Sequence, residues 1–469
     1  MIMLNHKTLR SLIFLCMGTL SIHTQEDYWI TVIVHGSFSL RPHLSLKNAI
    51  NMLRDMIEDS VYYRSTEICR RDPFFYKNQA MLEFGFKKID KDHPNKEEAA
   101  RILAKLLEET AKDAGTHPCQ EYYTFGWSGL VSHKLRYLEA GLLYKKLHQK
   151  VEQIKADGHN PRIRVISYSH GGNLSLQLGA VHVTKPAEEQ FAIDELFLFG
   201  TPVQTETDYL INSPLFKKIY NIYSGGDRIQ TLDFFSYKRF FSKRRFERHR
   251  NFEIPDKLVQ IRLRVNDYIP HSSKDIYPSI PQDEKTLHHA YKELNFDPGH
   301  FELWFMGWTI LTYRSDFPFN PLPMCMFIPY MTKYLDSTQG LSNDIIIQFR
   351  PCNETMALYN YQQPRTRKNK SKIIMPFMSQ QKLSSLKKEA LLYEPHDYNL
   401  EIYNRKMYNS IDIARHEYEE LKRLKFKERK YTSKSKQPTS KRLTGETKIV
   451  SLHARKQKPP LRTHLKPTQ

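Results

Sequence analysis

A chain of 469 residues that is 40% hydrophobic, 12% aromatic and 26% charged has the material for a large core. It is neither a collagen-like repeat nor a low-complexity fibre, and it has no run of about 20 apolar residues to span a bilayer. The formal net charge of +20 is uneven: from Arg365 to Gln469, 27 Lys and Arg face 10 Asp and Glu, which leaves +3 on residues 1–364. That is a nearly neutral body with a cationic appendage, which argues against a nucleic-acid-binding body.

The chain opens with MIMLNHKTLR, carrying Lys7 and Arg10, followed by the apolar stretch SLIFLCMGTL. A stretch of about ten residues suits the core of a secretory signal and is too short to span a membrane. Residues 1–24 are therefore expected to be a signal peptide and the protein to be exported, whether secreted, periplasmic or at the cell surface. A buried N-terminal helix or an uncleaved anchor is the alternative. Cleavage would remove Cys16 and leave Cys69, Cys119, Cys325 and Cys352, whose three possible pairings spacing cannot rank; buried free thiols fit equally well. There is no C-x-x-C, no H-E-x-x-H and no phosphate-binding G-x-x-x-x-G-K-[ST], so neither metal nor cofactor is expected.

From Asp27 strand-like apolar runs alternate with longer helical patterns: YWITVIVHG, LSLKNAINMLRDMIEDS, YYTFGWSG, LRYLEAGLLYKKLHQKVEQI, RIRVISYSHGG, NLSLQLGAVHV, DELFLFGTPV, KIYNIYSGGD and KLVQIRLRV. This rhythm predicts an α/β fold with a mostly parallel central sheet flanked by helices. The main domain is expected over residues 25–353, a polar linker over 354–376, and a basic tail over 377–469. That tail should be helical around Ile411–Lys430 and too poor in apolar residues to fold from Tyr431 onward.

The most informative stretch is Val165-Ile166-Ser167-Tyr168-Ser169-His170-Gly171-Gly172, a strand running through a tight turn into a helix. An activated serine needs its hydroxyl at the carboxyl end of a strand with the following amide beside it, and small residues two places to either side let the chain turn so sharply. Ser167 and Gly171 meet that demand around Ser169. The stretch resembles the nucleophile elbow of the α/β-hydrolase family, lipases and esterases in particular, whose G-x-S-x-G pattern appears here with Ser167 in place of the first glycine. A helix-capping turn is the plainer reading.

The resemblance extends along the chain. Val34-His35-Gly36-Ser37-Phe38 is similar to the family's HG turn, which implies an oxyanion hole made by the amide of Ser37 or Phe38 with that of His170. Phe199-Gly200-Thr201-Pro202 is similar to the turn that follows the strand after the elbow helix. The family's order of serine, acid, histidine implies Asp227, in Tyr223-Ser224-Gly225-Gly226-Asp227, as the orienting acid, with Asp208 and Asp233 as competitors. It implies His300, in Asp297-Pro298-Gly299-His300, as the general base, with His271 as runner-up and His288 and His289 also in range. A solvent-exposed His35 in an ordinary turn, and Trp127 either at the pocket mouth or packed in a loop, remain open.

The expected activity is hydrolysis of carboxylic esters, with lipid-like substrates favoured. Residues 231–251 (TLDFFSYKRFFSKRRFERHRN) interleave Phe234, Phe235, Phe240, Phe241 and Phe246 with seven Lys and Arg, which suits a lid or a surface that meets a membrane; a basic helix with its phenylalanines turned inward is the alternative. Two rival functions stand beside the hydrolase: a catalytically inactive binding module of the same fold, and a scaffold that delivers the basic tail to an anionic surface or nucleic acid. The sequence is silent on oligomeric state.

Overall fold

Asp27–Val34 (β1) is rich in β-branched residues and is buried on both faces, as the strand of an α/β sheet must be. The computed structural model describes residues 25–37, 60–92, 98–116, 119–231, 242–248, 252–270, 291–310, 313–338, 341–361 and 373–434. Around β1 it assembles Gly85–Lys88 (β2), Glu121–Gly126 (β3), Asn160–Tyr168 (β4), Ile193–Phe199 (β5), Phe216–Ser224 (β6), Leu258–Pro270 (β7), Tyr291–Asn295 (β8), Asp344–Arg350 (β9), Thr355–Asn360 (β10) and Ile373–Pro376 (β11). These form one mixed, mostly parallel sheet of 11 strands in the order β11-β10-β9-β7-β6-β5-β4-β1-β3-β2, with β8 added to the end of β7. The pairings from β3 across to β9 are parallel. Those of β2, β8, β10 and β11 are antiparallel.

The strand order reverses once. The chain leaves β1 for β3 on one side and returns to β4 on the other, so the loops after β1 and β4 part at the carboxyl edge, where open α/β sheets place their ligands.

Alternation along the strands divides the core in two. Val32, Leu196 and Leu198 pack on one face with Ala140, Leu143, Leu147 and Val151 of His133–Ala156 (α3) and with Leu174 and Leu178 of His170–His182 (α4). Ile33, Phe197 and Phe199 face the other way, toward Ala99–Ala114 (α2), Ile328–Ser337 (α5) and Gln380–Leu391 (α6). Ser132 caps α3 by accepting from the Leu135 amide at 3.1 Å. Val61–Arg70 (α1) is capped likewise by Ser60.

The compact unit continues past residue 353, where the body was expected to end. β10 and β11 lie within the expected linker and extend the sheet, while Phe377, Leu383, Leu386, Ala390, Met407 and Ile411 belong to the core under β9. Their apolar side chains recur at helical spacing within a basic background, so the stripe is invisible in average composition. The compact unit runs to Tyr418, within the helix Leu400–Lys434 (α7). The second unit, Glu419–Gln469, is described only to Lys434, where it is helical and includes a 2.8 Å Lys422–Glu419 ion pair. The expected signal peptide and most of the expected disordered stretch lie outside the described residues. Among the described residues no helix is long and apolar enough to cross a membrane.

Candidate active site

Ser169 joins β4 to α4 with φ 50° and ψ −130°, a conformation that L-residues seldom adopt; among the described residues Glu354 is the only other non-glycine with positive φ. The turn is held by its surroundings. The Ser169 amide donates to the Phe199 carbonyl at 2.9 Å, and a Cβ on Gly171 would stand 2.2 Å from the His35 carbonyl oxygen. Only glycine lets the elbow helix approach the end of β1 this closely. Ser167, at the position where the resemblance has glycine, is fully buried, and its hydroxyl pairs with that of Ser175 at 2.6 Å.

Three side chains converge here. His300 Nε2 lies 3.2 Å from Ser169 Oγ, and His300 Nδ1 lies 2.7 Å from Asp227 Oδ2. A carboxylate only accepts, so Nδ1–H donates to Asp227 and Nε2 is left to accept from the serine. Asp227 is fully buried, and its other oxygen accepts from the Gln230 amide at 3.0 Å. Asp208, the described competitor for the acid, sits in a 3₁₀ turn after β5 while Asp227 holds the histidine. Asp233, His271, His288 and His289 lie outside the described residues.

Each member is carried by the carboxyl edge of the sheet. The hairpin from β7 into β8 returns the chain toward His300, whose carbonyl accepts from Tyr168 Oη at 3.0 Å. The Tyr168 ring stacks on Trp304 at 5.2 Å, so the residue before Ser169 also fixes the histidine's loop. Gly200, with φ 55°, brings the turn after β5 against the pair: a Cβ there would lie 2.9 Å from Asp227 Oδ2 and 3.2 Å from His300 Nδ1. Thr201 packs against Gly172, and Asn173 Nδ2 donates to the Pro202 carbonyl at 3.0 Å, locking that turn to the elbow helix.

The HG turn ends β1 directly beside the elbow, with Val34 paired to Ser167. His35 is buried, which overturns the solvent-exposed alternative. Its Nδ1 donates to the Gly36 carbonyl at 2.7 Å and its Nε2 accepts from the Trp127 amide at 3.2 Å. Burial and the Arg70 charge hold its pKa well below the ordinary value of 6.5, so the ring is neutral. Trp127 is buried as well, and its Nε1 donates to the His35 carbonyl at 2.7 Å, which braces the turn. Ser37 is half-buried, with no hydrogen-bond partner for its hydroxyl among the described residues, while Phe38 lies outside them. His170 opens α4, where amides point out of the helix end. Its Nδ1 accepts from Arg136 Nη1 at 2.7 Å.

Of the expected lid, Phe246 is a core residue, its backbone paired with the Gln260 side chain, because residues 242–246 run back over the sheet. Phe234, Phe235, Phe240 and Phe241 lie outside the described residues. Cys69, Cys119, Cys325 and Cys352 are free thiols, the first three buried. Among the described residues no cluster of three or more His, Cys, Asp or Glu is placed to hold a metal ion. The supporting roles of Tyr168, Gln230 and Trp127 depend on contacts between distant parts of the chain; an aromatic just before the elbow serine was the one local hint. A scan against protein-family models and a search of curated proteins each returned no match.

Proposed function

We propose that this chain is a serine hydrolase of the α/β-hydrolase fold that cleaves carboxylic esters. The observation that carries the reading is the unbroken contact from Ser169 Oγ through His300 to a fully buried Asp227, set on a strained turn. A lone serine turn would need neither the histidine nor the strain. His300 Nε2 takes the proton as Ser169 Oγ attacks the ester carbonyl, and Asp227 stabilises the imidazolium that forms. The His170 amide and that of Ser37 or Phe38 receive the negative charge on the carbonyl oxygen. His300 then protonates the departing alcohol, and water releases the acyl group by the same steps in reverse.

A lipid-like acyl ester is the favoured substrate, on the resemblance to lipases and on the aromatic and basic composition of residues 231–251. The basic tail gives such an enzyme a means of adhering to an anionic surface, and export is part of the same reading.

The test is hydrolysis of a short p-nitrophenyl ester. Ser169→Ala should lower kcat by at least about 1,000-fold, because the nucleophile is gone, with little change in the unfolding midpoint. His300→Ala should be nearly as damaging and His271→Ala mild. Retained turnover in Ser169→Ala would refute the proposal, and the opposite histidine ranking would reassign the base.

A further inference from the structure

The stretch Ser242–Phe246 belongs to the long connection between β6 and β7, yet it is fastened at nearly every residue. Ser242 Oγ donates to the Gln230 carbonyl, and Lys243 and Val203 exchange two backbone hydrogen bonds, at 2.9 and 3.1 Å. Arg245 pairs with Asp344, and the Phe246 amide donates to Gln260 Oε1 at 2.8 Å. At the centre, Arg244 Nε and Nη2 both donate to the carbonyl oxygen of Asp227, at 2.9 and 2.6 Å. Its own carbonyl accepts from Asn221 Nδ2 of β6 at 3.0 Å.

Resting on the hydrolase reading, we infer that Arg244 is a positioning residue for the triad, clasping the main chain of Asp227 so that its carboxylate stays in line with His300. The loop after β6 needs such a clasp. It passes through Gly225 and Gly226, where a Cβ on Gly226 would lie 2.5 Å from the Asp297 carbonyl, so the chain there is close-packed but lacks side chains to stiffen it. Two parallel N–H groups on one carbonyl fix the peptide that bears the acid, and Gln230, bonded to both Asp227 Oδ1 and the Thr201 carbonyl, fixes the side chain.

The experiment compares wild type, Arg244→Gln and Arg244→Lys for kcat and KM on a soluble short-chain ester and for melting temperature, with fluorophosphonate labelling of each. In Arg244→Gln, kcat should fall about tenfold at unchanged KM and melting temperature, and labelling should slow by a similar factor. Arg244→Lys keeps one donor group at the carbonyl, so its kcat should fall by a smaller factor. The inference is overturned if both variants match wild type, or if activity and melting temperature fall together in both, as a packing role would give. Should Arg244→Gln fail to fold, Arg244→Lys decides: wild-type kcat overturns the clasp, and a reduced kcat at unchanged KM and melting temperature supports it. Wild type that neither labels nor turns over ester removes the hydrolase reading and the clasp with it, an outcome distinct from active wild type with indifferent variants.

Discussion

Ser167 stands where the resembled elbow has glycine, and its contact explains how the chain tolerates the exchange. Its hydroxyl turns into the core and pairs with Ser175 in the first turns of α4, so the side chain ties strand to helix at a site from which water is excluded. Ser167→Gly should therefore leave ester hydrolysis intact but lower stability by about 1–3 kcal/mol, because Ser175 would be left buried with its partner gone. A denaturant titration checks this; an unchanged midpoint would mean that the pair contributes nothing. His35 belongs to the same scale. Its folded pKa is depressed while the unfolded chain titrates near 6.5, so below that pH the unfolded state binds more protons and stability falls as pH drops. His182, also held low by burial, acts in the same direction. His35→Gln keeps a donor and an acceptor for Gly36 and Trp127 but cannot titrate. Its unfolding free energy should fall less steeply between pH 6.5 and 5, by up to about 1.4 kcal/mol per pH unit. Equal slopes for the two proteins would show that His35 titrates normally in the fold.

Among the elements, those legible in the sequence were the ones marked by continuous apolar runs and glycine turns. β1, β4, β5 and β6 each end in such a turn, and the turns bear His35, Ser169, Gly200 and Asp227. The elements missed as part of the body are those whose apolar residues are sparse. In β10 only Met356, Ala357 and Leu358 are buried, and in α6 only Leu383, Leu386 and Ala390, set among lysines that gave the region its basic, tail-like composition. Packing depends on which face a residue occupies, and a regional charge count averages the faces together. The roles of Trp127 and Arg244 were illegible for a different reason: each acts on a turn far away in sequence, and spacing carries no record of that contact. Truncation after Asn353 should consequently give an insoluble or unfolded product, since it strips two strands from the sheet and two helices that carry core residues. Truncation after Tyr418 should preserve the cooperative thermal transition. A soluble protein ending at Asn353 with native near-ultraviolet circular dichroism would contradict this assignment of the core.

For the molecule as a whole, the reversal of strand order between β3 and β4 opens the carboxyl edge of a mostly parallel sheet, and turns spread from His35 to His300 meet there. Charge is partitioned differently from chemistry: residues 1–364, which carry every member of the candidate site, are nearly neutral, and the positive excess lies beyond them. The hydrolase account therefore requires the body alone to hold the nucleophile, activated by its own histidine and acid. The most direct measurement is reaction of the full chain with a fluorophosphonate, read by intact mass and peptide mapping. The account predicts one adduct per chain, on Ser169, absent in Ser169→Ala and slowed by at least about 100-fold in both His300→Ala and Asp227→Asn. No adduct on the folded wild-type protein, or labelling of Ser169 as fast in His300→Ala as in wild type, would contradict it.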